Sequence, residues 1–480
     1  MIRQRTLFYK PIPPITEDRR KDNRPPRPMH ERRRHPVRAE AIDVRFNNRT
    51  VTAFGGYVAL KPFTDQLRLR QRFARSIRIK KEQGFTIPEL GCWFVDTKLL
   101  GVERLTHIDV VRGDPLLSAM NGFDTMPCGV TEERYLRRFG APHNAAFEGL
   151  NIGVVTWVSR RALTARQRRV IFDYDTSTMA VYGKQEGANR GRSFRKKDKP
   201  GFQPKFAFIG GLDVMVHQRL YPLSQGLASD FRTFHAETRA RVPEGMWPWA
   251  VRGDTALFSE ENILLFEREK LVYGISAPMN APLRRRVETI PEDAWLEGLD
   301  ERDRPYSVAR IRYRPTTWSG PERTFLLSRR LKDRPTRDLF GVERYNYFAY
   351  ITNYRVPLID QFVFCVERCS LERCVKESKL GFALDHLPCG EFEANQAYLH
   401  HVQLAYNIAI AWKLMHLPRT RGVNRWTVAT IRRWLWCVPG TFRRRGDRWT
   451  LSLAAYWPSD KAELLRHVLQ RLLRSPPGSG

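Results

Sequence analysis

The sequence has no apolar run long enough to cross a membrane and no cysteine pair at the CxxC spacing of a zinc knuckle. Its most apolar helical segment, residues 401–417, is interrupted by Gln403, Asn407 and Lys413, so we expect a buried core helix there. The N-terminus is basic and rich in proline, and it lacks the apolar segment of a signal peptide. These absences argue against a membrane partner and predict a cytoplasmic protein.

Cysteine usage also excludes a disulfide framework. The seven cysteines are an odd number, spread along a chain of 480 residues. Free thiols in a reducing compartment are therefore expected, and a zinc site has little support. The chain also shows no internal repeat and no signature of an RNA-binding module.

The chain carries a large excess of positive charge. Its 82 Lys and Arg residues face 51 Asp and Glu residues, for a formal net charge of +31. Such an excess favours a polyanionic partner, most simply nucleic acid, although a basic surface can also serve solubility alone. Apolar residues make up 42% of the chain, enough for two to four domains with cores of their own.

Composition and pattern divide the chain into six segments. They are a basic, proline-rich flexible arm (1–41), a mostly helical segment (42–165), an α/β region in two parts (166–277 and 341–415), a β-rich segment between those parts (278–340) and a basic C-terminal region (416–480). The arm could follow a phosphate backbone or be a solvated tail, and composition does not distinguish these roles.

The helical segment contains a short basic helix at residues 128–140. Thr131 is the predicted N-cap, Glu132 suits the first turn, and Arg137 and Arg138 suit the last. A basic helix in a small helical module could enter a DNA groove, and an ordinary surface helix is an equal alternative. A second basic cluster follows in the polar loop after the first strand of the α/β region: Arg195, Lys196 and Lys197.

Acidic residues stand at informative positions in the α/β region. Asp173 and Asp175 lie inside an apolar strand, where a carboxylate is costly to bury unless a metal, a cation or a cleft compensates. Asp254 ends a later strand, and Glu372 lies on a helix after the β-rich segment. Two-metal phosphoryl transfer needs such a trio, because Mg²⁺ and Mn²⁺ prefer carboxylate oxygens.

The helix with Glu372 supports this hypothesis by its spacing. We expect one continuous helix from Pro357 to about Leu380. On such a helix, four side chains would lie on one face, within roughly 60° of arc around the helix axis: Cys365, Arg368, Glu372 and Lys379. Glu367 and Glu377 would point away from that face. The alternative is a helix face with ordinary ion pairs.

The motifs around these acids resemble those of DDE-type insertion-sequence transposases, a bacterial group whose RNase H-like domain is interrupted by a β-rich insertion. The first acid lies in Asp173-Tyr-Asp-Thr-Ser, followed by Val181-Tyr-Gly-Lys-Gln-Glu-Gly-Ala. The second lies in Arg252-Gly-Asp-Thr-Ala-Leu-Phe-Ser-Glu-Glu. The N-terminal part is similar in Val51-Thr-Ala-Phe-Gly-Gly and Leu105-Thr-His-Ile-Asp-Val-Val-Arg-Gly-Asp.

The third acid matches a Tyr-x2-Arg-x3-Glu-x6-Lys signature, and Leu384-Asp-His-Leu-Pro-Cys-Gly follows it. Two positions depart from the group. Cys365 stands where the signature has Tyr, which removes a phenol that would contact phosphate, and Thr176 stands where Ser is usual. No proposed metal ligand is changed, so the resemblance still implies an active site.

The resemblance implies a fold and a set of roles. Residues 166–277 and 341–415 would form an RNase H-like catalytic domain around the insertion, after a helical N-terminal DNA-binding domain. The implied metal ligands for two Mg²⁺ or Mn²⁺ ions are Asp175, Asp254 and Glu372. Arg368 and Lys379 would position phosphates, and Asp173 would support the site. Trp318 of the insertion would stack on a displaced base or, more simply, pack in the core.

The implied partners are the terminal inverted repeats of a DNA element and target DNA, bound by a homodimer in the cytoplasm near the nucleoid. The implied chemistry is cleavage at the element ends and strand transfer. The alternatives are an RNase H-like nuclease without strand transfer, a non-catalytic basic DNA-binding protein and an RNA-associated protein. The C-terminal region, rich in Trp and Arg, could grip end DNA or pack between protomers.

Overall fold

The computed structural model describes residues 38–80, 84–162, 168–191, 199–300, 304–338, 341–367, 369–418, 420 and 422–474. Its strands are β1 (Val51–Thr52), β2 (Arg169–Thr176), β3 (Met179–Ala180), β4 (Gly201–Phe202), β5 (Lys205–Ile209), β6 (Val214–Arg219), β7 (Trp247–Gly253), β8 (Val272–Ala277), β9 (Leu296–Leu299), β10 (Pro305–Tyr313), β11 (Arg323–Asp338), β12 (Gly341–Thr352), β13 (Gly440–Arg445) and β14 (Arg448–Leu453).

The α-helices divide into two groups, one before strand β2 and one after it. The first group is α1 (Tyr57–Gln66), α2 (Leu69–Ser76), α3 (Ile87–Leu99), α4 (Ile108–Val111), α5 (Pro115–Asn121), α6 (Gly129–Leu136) and α7 (Ala141–Ala162). The second is α8 (Phe231–Ala240), α9 (Glu260–Arg268), α10 (Ala281–Glu288), α11 (Leu358–Val366), α12 (Cys369–Phe382), α13 (Phe392–His416), α14 (Val428–Ile431) and α15 (Ser459–Arg474).

The largest sheet in the described part of the chain has nine strands, in the order β6-β5-β2-β7-β8-β12-β11-β10-β9. β2 pairs antiparallel with β5 and parallel with β7, and β7 pairs parallel with β8. β12 pairs antiparallel with β8, and β11, β10 and β9 follow antiparallel. The fold is therefore mixed α/β, and the strands predicted for segment 278–340 extend this sheet.

Strand β2 is buried on both faces. Its apolar side chains are typical β-formers, and on one face the ring of Tyr174 packs edge-on against Phe231 of α8, with centroids 5.0 Å apart. Asp173, the next residue back, points to the opposite face. That second face is covered by α11 and α12, because Arg252 beside Asp173 reaches the carbonyl of Phe364.

Helix α13 lies in the core, as its sequence predicts. Most of its side chains are buried, including the polar Gln403 and Asn407 that interrupt the apolar run. Asn407 bonds both the amide and the carbonyl of Met215 on β6, so its burial costs no hydrogen bond. Of the helices that the structure describes, none is long and apolar enough to span a membrane.

A second sheet joins the two ends of the described chain in the order β1-β13-β14. The Gly55-Gly56 pair makes this possible, since the Gly55 amide bonds the carbonyl of Val438 at 2.8 Å. A Cβ at Gly56 would lie 1.6 Å from the carbonyl oxygen of Leu435, so only glycine fits there. The Val51-to-Gly56 motif is thus a packing site for the C-terminal region.

Two local predictions about helices are wrong. Helix α6 begins at Gly129 with Cys128 as its N-cap, so Thr131 is not the cap, and its hydroxyl lies 3.2 Å from the Cys128 sulfur. The helix expected from Pro357 to about Leu380 is two helices, α11 and α12. The arc that places Arg368 beside Glu372 assumes one helix, so that argument fails.

Candidate active site

Asp175 and Asp254 lie side by side at one edge of the sheet. The parallel pairing of β2 with β7 sets Asp173 opposite Arg252. Continued by two residues, the same register sets Asp175 beside Asp254, whose φ of −83° and ψ of −173° extend the chain beyond β7. Neighbouring strands are about 4.8 Å apart, and residues two apart share a face. The structure therefore brings two of the three predicted metal ligands together.

Each of the two carboxylates accepts a hydrogen bond from a nearby backbone amide. Asp175 is half-buried, and its Oδ1 accepts from the amide of Thr176 at 2.8 Å. Asp254 is also half-buried, and its Oδ1 accepts from the amide of Ala256 at 2.9 Å. These bonds hold both side chains in place, and carboxylate oxygens are the ligands that hard divalent cations prefer.

A buried ion pair supports the two strands beneath the carboxylates. Arg252 donates from Nε to Asp173 Oδ1 at 2.6 Å and from Nη2 to Asp173 Oδ2 at 2.7 Å, and both side chains are only 2% exposed. Burial acts to lower the pKa of Arg252, but the Asp173 charge and its hydrogen bonds outweigh burial and raise it. Asp173 is thus compensated by a cation, which fits its predicted supporting role.

The same arginine reaches the helical layer above the sheet. Its Nη1 donates to the carbonyl of Phe364 at 3.1 Å and lies 3.3 Å from Glu367 Oε2. Glu367, which we predicted to point away from the helix face with Glu372, thus contacts Arg252. Glu377 does point elsewhere, since its carboxylate accepts from the amide of Val428 at the start of α14.

Glu372 lies on α12, which packs against β2 on the face that carries Asp175. It is exposed. Within the described residues, however, no three His, Cys, Asp or Glu side chains lie close enough together to hold a metal ion. Two carboxylates fit a divalent cation by position and chemistry, and the third lies on the adjoining helix without completing the cluster.

Lys379 lies near the end of the strand that carries Asp175. Its Nζ is 3.5 Å from the carbonyl oxygen of Thr178, two residues beyond β2. This places a cation at the sheet edge where Asp175 and Asp254 meet. Its predicted partner in phosphate binding, Arg368, lies outside the described residues.

Cys365, at the signature tyrosine position, faces the protein interior. The side chain is 2% exposed and packs in a small apolar cluster with Ile171 and Phe364. A Cβ at Gly274 would lie 3.0 Å from its sulfur, so the space is filled. Burial raises the pKa of the thiol to about 12. In this conformation a phenol at position 365 would have no room and no path to phosphate.

Trp318 packs against the loop that follows Asp254. Its ring is 5.0 Å from that of Phe258, and the guanidinium of Arg323 lies 5.6 Å from its centroid. Glu260 of α9 accepts from the amides of Ser319 and Gly320, which ties this part of the insertion to the site. The ring is half-buried, a position that suits packing and leaves base stacking as a prediction.

Of the remaining predicted DNA-binding residues, the structure describes Arg137 and Arg138, which follow α6. Arg137 is paired with Glu133 at 2.8 Å and lies 3.6 Å from Glu391. Arg138 is half-buried on the same helix end. The basic loop residues Arg195, Lys196 and Lys197 lie outside the described residues.

Two sequence motifs contact each other, a relationship that the sequence did not reveal. Gln185 donates to the carbonyl of Leu387 at 3.1 Å, and the amide of Glu186 bonds the carbonyl of Gly390 at 2.8 Å. The Glu186 carboxylate accepts in turn from the amide of Phe392. The Gln-Glu-Gly stretch therefore anchors the start of α13 to the strands after β2, which explains why both motifs are polar.

Comparison with known proteins identifies a family match. Residues 34–477 match a family model described as Transposase DDE domain group 1. Among solved structures, the chain is similar to one described as "Cryo-EM structure of piggyBac transposase synaptic complex with hairpin DNA (SNHP)", at 10% sequence identity and a TM-score of 0.39, over 89% of this chain and 83% of that chain. None of the curated proteins matches the sequence. The family match spans β2, β7 and α12, which carry the three predicted acids.

Proposed function

Because the chain belongs to the Transposase DDE domain group 1 family, we propose that it cuts DNA at the ends of a mobile element and joins those ends to target DNA. The observation that carries the proposal is the parallel register of β2 with β7, which, continued by two residues, sets Asp175 beside Asp254. Half-buried carboxylates at a sheet edge suit metal-assisted phosphoryl transfer, because they offer oxygen ligands beside an open surface.

The ligands in this proposal are Asp175 and Asp254, with Glu372 from α12 as the third. When bound, Mg²⁺ or Mn²⁺ ions would supply positive charge to the attacking and leaving oxygens of the phosphodiester. The chain's own part is to hold the carboxylates in register, and the Arg252–Asp173 pair does this from below. Lys379 adds a cation for the DNA phosphates at the same edge.

The strand order supports an RNase H-like assignment for the catalytic domain. β2, with the first acid, is flanked by the antiparallel β5 and the parallel β7, and β8 extends the parallel side. In this proposal, residues 166–277 and 341–415 form the catalytic domain, 278–340 the insertion and 42–165 the N-terminal DNA-binding domain. The net charge of +31 supports a DNA partner, and a homodimer would hold two element ends.

The experiment that tests this function follows the fate of labelled end DNA in the presence of Mg²⁺ and a target plasmid. A transposase releases a 3′-OH end and joins it to the plasmid, so labelled plasmid should accumulate. Cleavage without joined product would indicate a nuclease of the same fold. Binding without either product would overturn the catalytic proposal in favour of a DNA-binding protein.

A further inference from the structure

The β13–β14 hairpin sorts its side chains onto two faces. Its strands pair Thr441 with Ser452 and end with Arg445 opposite Arg448. Since opposite residues share a face and side chains alternate along each strand, one face carries three arginines and three hydroxyl groups. These residues are Thr441, Arg443, Arg445, Arg448, Thr450 and Ser452. We call this surface the arginine face, and it contains no carboxylate.

The opposite face of the hairpin is held by aromatic packing. The rings of Phe442 and Trp449 stack with centroids 4.7 Å apart and planes 6° apart. The guanidinium of Arg444 lies 5.4 Å from the Trp449 centroid and 3.7 Å from the carboxylate of Asp447 in the turn. Asp447, the acid nearest to the hairpin arginines, thus lies beside Arg444 of the aromatic face, and the positive charge of the arginine face is not neutralised.

The hairpin projects from a fixed base. The amide of Phe442 bonds the carbonyl of Thr50 at 2.7 Å, and the amide of Ala454 bonds the carbonyl of Pro439 at 2.9 Å. Beyond β1, every residue from 443 to 450 is exposed. Across the described chain, the three guanidinium groups of the arginine face form no ion pair. A rigid ribbon thus presents three unneutralised cations to solvent.

We propose that the arginine face binds the phosphate backbone of duplex DNA outside the active site. This inference rests on the proposed function and adds a binding site to it. Guanidinium forks pair bidentately with phosphate oxygens, and neighbouring hydroxyl groups donate to the same atoms. Contacts to phosphates position a duplex without reading its sequence. The arginine face therefore contributes affinity and does not discriminate the element end from other DNA.

The test is a triple variant of the full chain, Arg443→Gln with Arg445→Gln and Arg448→Gln. Its affinity is measured across a salt series for an end duplex and for an unrelated duplex of equal length. The slope of log K against log salt changes by about 0.9 for each phosphate contact, so it should become less steep by about 2 to 3. The change should be equal for both duplexes, and thermal unfolding should be unaltered.

A matched control removes the same charge from exposed arginines elsewhere. It carries Arg232→Gln, Arg285→Gln and Arg286→Gln, and it should keep the wild-type slope. A hairpin variant with lysine at the three positions should retain most of the salt dependence, because it keeps the charge. An equal loss in the control, or an unchanged slope in the glutamine variant, overturns the proposal.

The same titrations separate this inference from the proposed function. If the wild type joins end DNA to target and the glutamine variant binds with an unchanged slope, the arginine-face inference alone fails. If the wild type binds no duplex DNA, both fail. The inference would also be overturned if the glutamine variant lost binding to an RNA or an acidic protein and kept its binding to duplex DNA. That result would assign another partner to the arginine face.

Discussion

Arg252 is joined to Asp173 by two hydrogen bonds of 2.6 and 2.7 Å, in a pair that is almost wholly buried. The pair links β7 to β2 one step below the sheet edge. Two residues further along these strands lie Asp254 and Asp175. The paired strands thus carry an ion pair at one level and two carboxylates that can hold a cation at the next.

Substitution of Asp173 should lower the stability of the protein more than substitution of Asp175, the other aspartate of β2. Asp173→Asn removes the buried counter-charge of Arg252 and leaves only the half-exposed Glu367 near it, so the free energy of unfolding should fall by about 3–5 kcal/mol. Asp175→Asn should change it by less than about 1 kcal/mol, because the side chain is half-buried and an asparagine oxygen can accept the same bond from the Thr176 amide. Urea unfolding of both variants measures the difference. Equal losses would contradict the division of roles.

Restoring the signature tyrosine should destabilise the protein. Cys365 fills its space against Gly274 and Phe364, and a larger side chain in a packed core costs about 1–3 kcal/mol. Cys365→Tyr should therefore lower the unfolding temperature without raising activity on end DNA. Cys365→Ser is the matched small variant. Higher activity with unchanged stability would show that residue 365 faces the DNA.

The thiol of Cys365 should also resist alkylation in the folded protein. Burial raises its pKa to about 12, so almost no thiolate is present at pH 8. Peptide mapping after brief treatment with iodoacetamide should find Cys365 unmodified until the protein is unfolded. Rapid modification in the native state would contradict its buried position.

The buried His401 should make the protein less stable in acid. Burial lowers its pKa to about 3, and its Nε2 lies 3.0 Å from the Tyr135 hydroxyl. The unfolded chain binds a proton near pH 6.5 while the folded chain does not, so stability is full above pH 6.5 and falls from there toward pH 3. Between pH 7 and pH 5 the loss is about 2 kcal/mol for this group.

The measurement is the free energy of unfolding at pH 7 and pH 5 for wild type and His401→Gln. The variant removes the titrating ring, so its loss between the two pH values should be smaller by about 2 kcal/mol. Other buried histidines, such as His217 with a pKa lowered by burial to about 4, remain in both proteins. An identical pH dependence would show that His401 is protonated in the fold.

Lys379 should contribute more to DNA cleavage than Lys376, which lies on the same helix. Lys379→Ala should weaken cleavage of end DNA, since it removes a cation near the end of β2. Lys376→Ala, an exposed lysine on α12, is the control of equal charge. Cleavage rates at saturating DNA compare them. Equal effects would indicate that only the net charge of α12 matters.

Local sequence patterns predicted the elements that carry the site. The strand with Asp175 and the strand that ends before Asp254 lie close to their expected positions, because apolar periodicity is a local signal. The core helix α13 follows the same rule. The strand that carries Asp175 and the strand that precedes Asp254 could thus be predicted from local pattern, whereas their adjacency depends on the parallel pairing of β2 with β7.

Long-range contacts account for what the sequence did not predict. No proline or glycine marks the end of α11 in the sequence. Arg252, from the distant strand β7, donates a hydrogen bond to the carbonyl of Phe364 in the last turn of α11. The pairing of Arg252 with Asp173 follows from the parallel register, which depends on strand order. One signal for this pairing was present in the sequence. Asp173 lies two residues before Asp175, and the oppositely charged Arg252 lies two residues before Asp254.

The most direct test of the account measures Mg²⁺-dependent cleavage of end DNA by wild type and Asp254→Asn, with DNA affinity and unfolding temperature recorded for both. Loss of several kcal/mol of charge stabilisation predicts a rate at least about 100-fold lower for the variant. Its fold and its affinity for DNA should be retained. An undiminished cleavage rate in Asp254→Asn would contradict the assignment of the sheet edge as the active site.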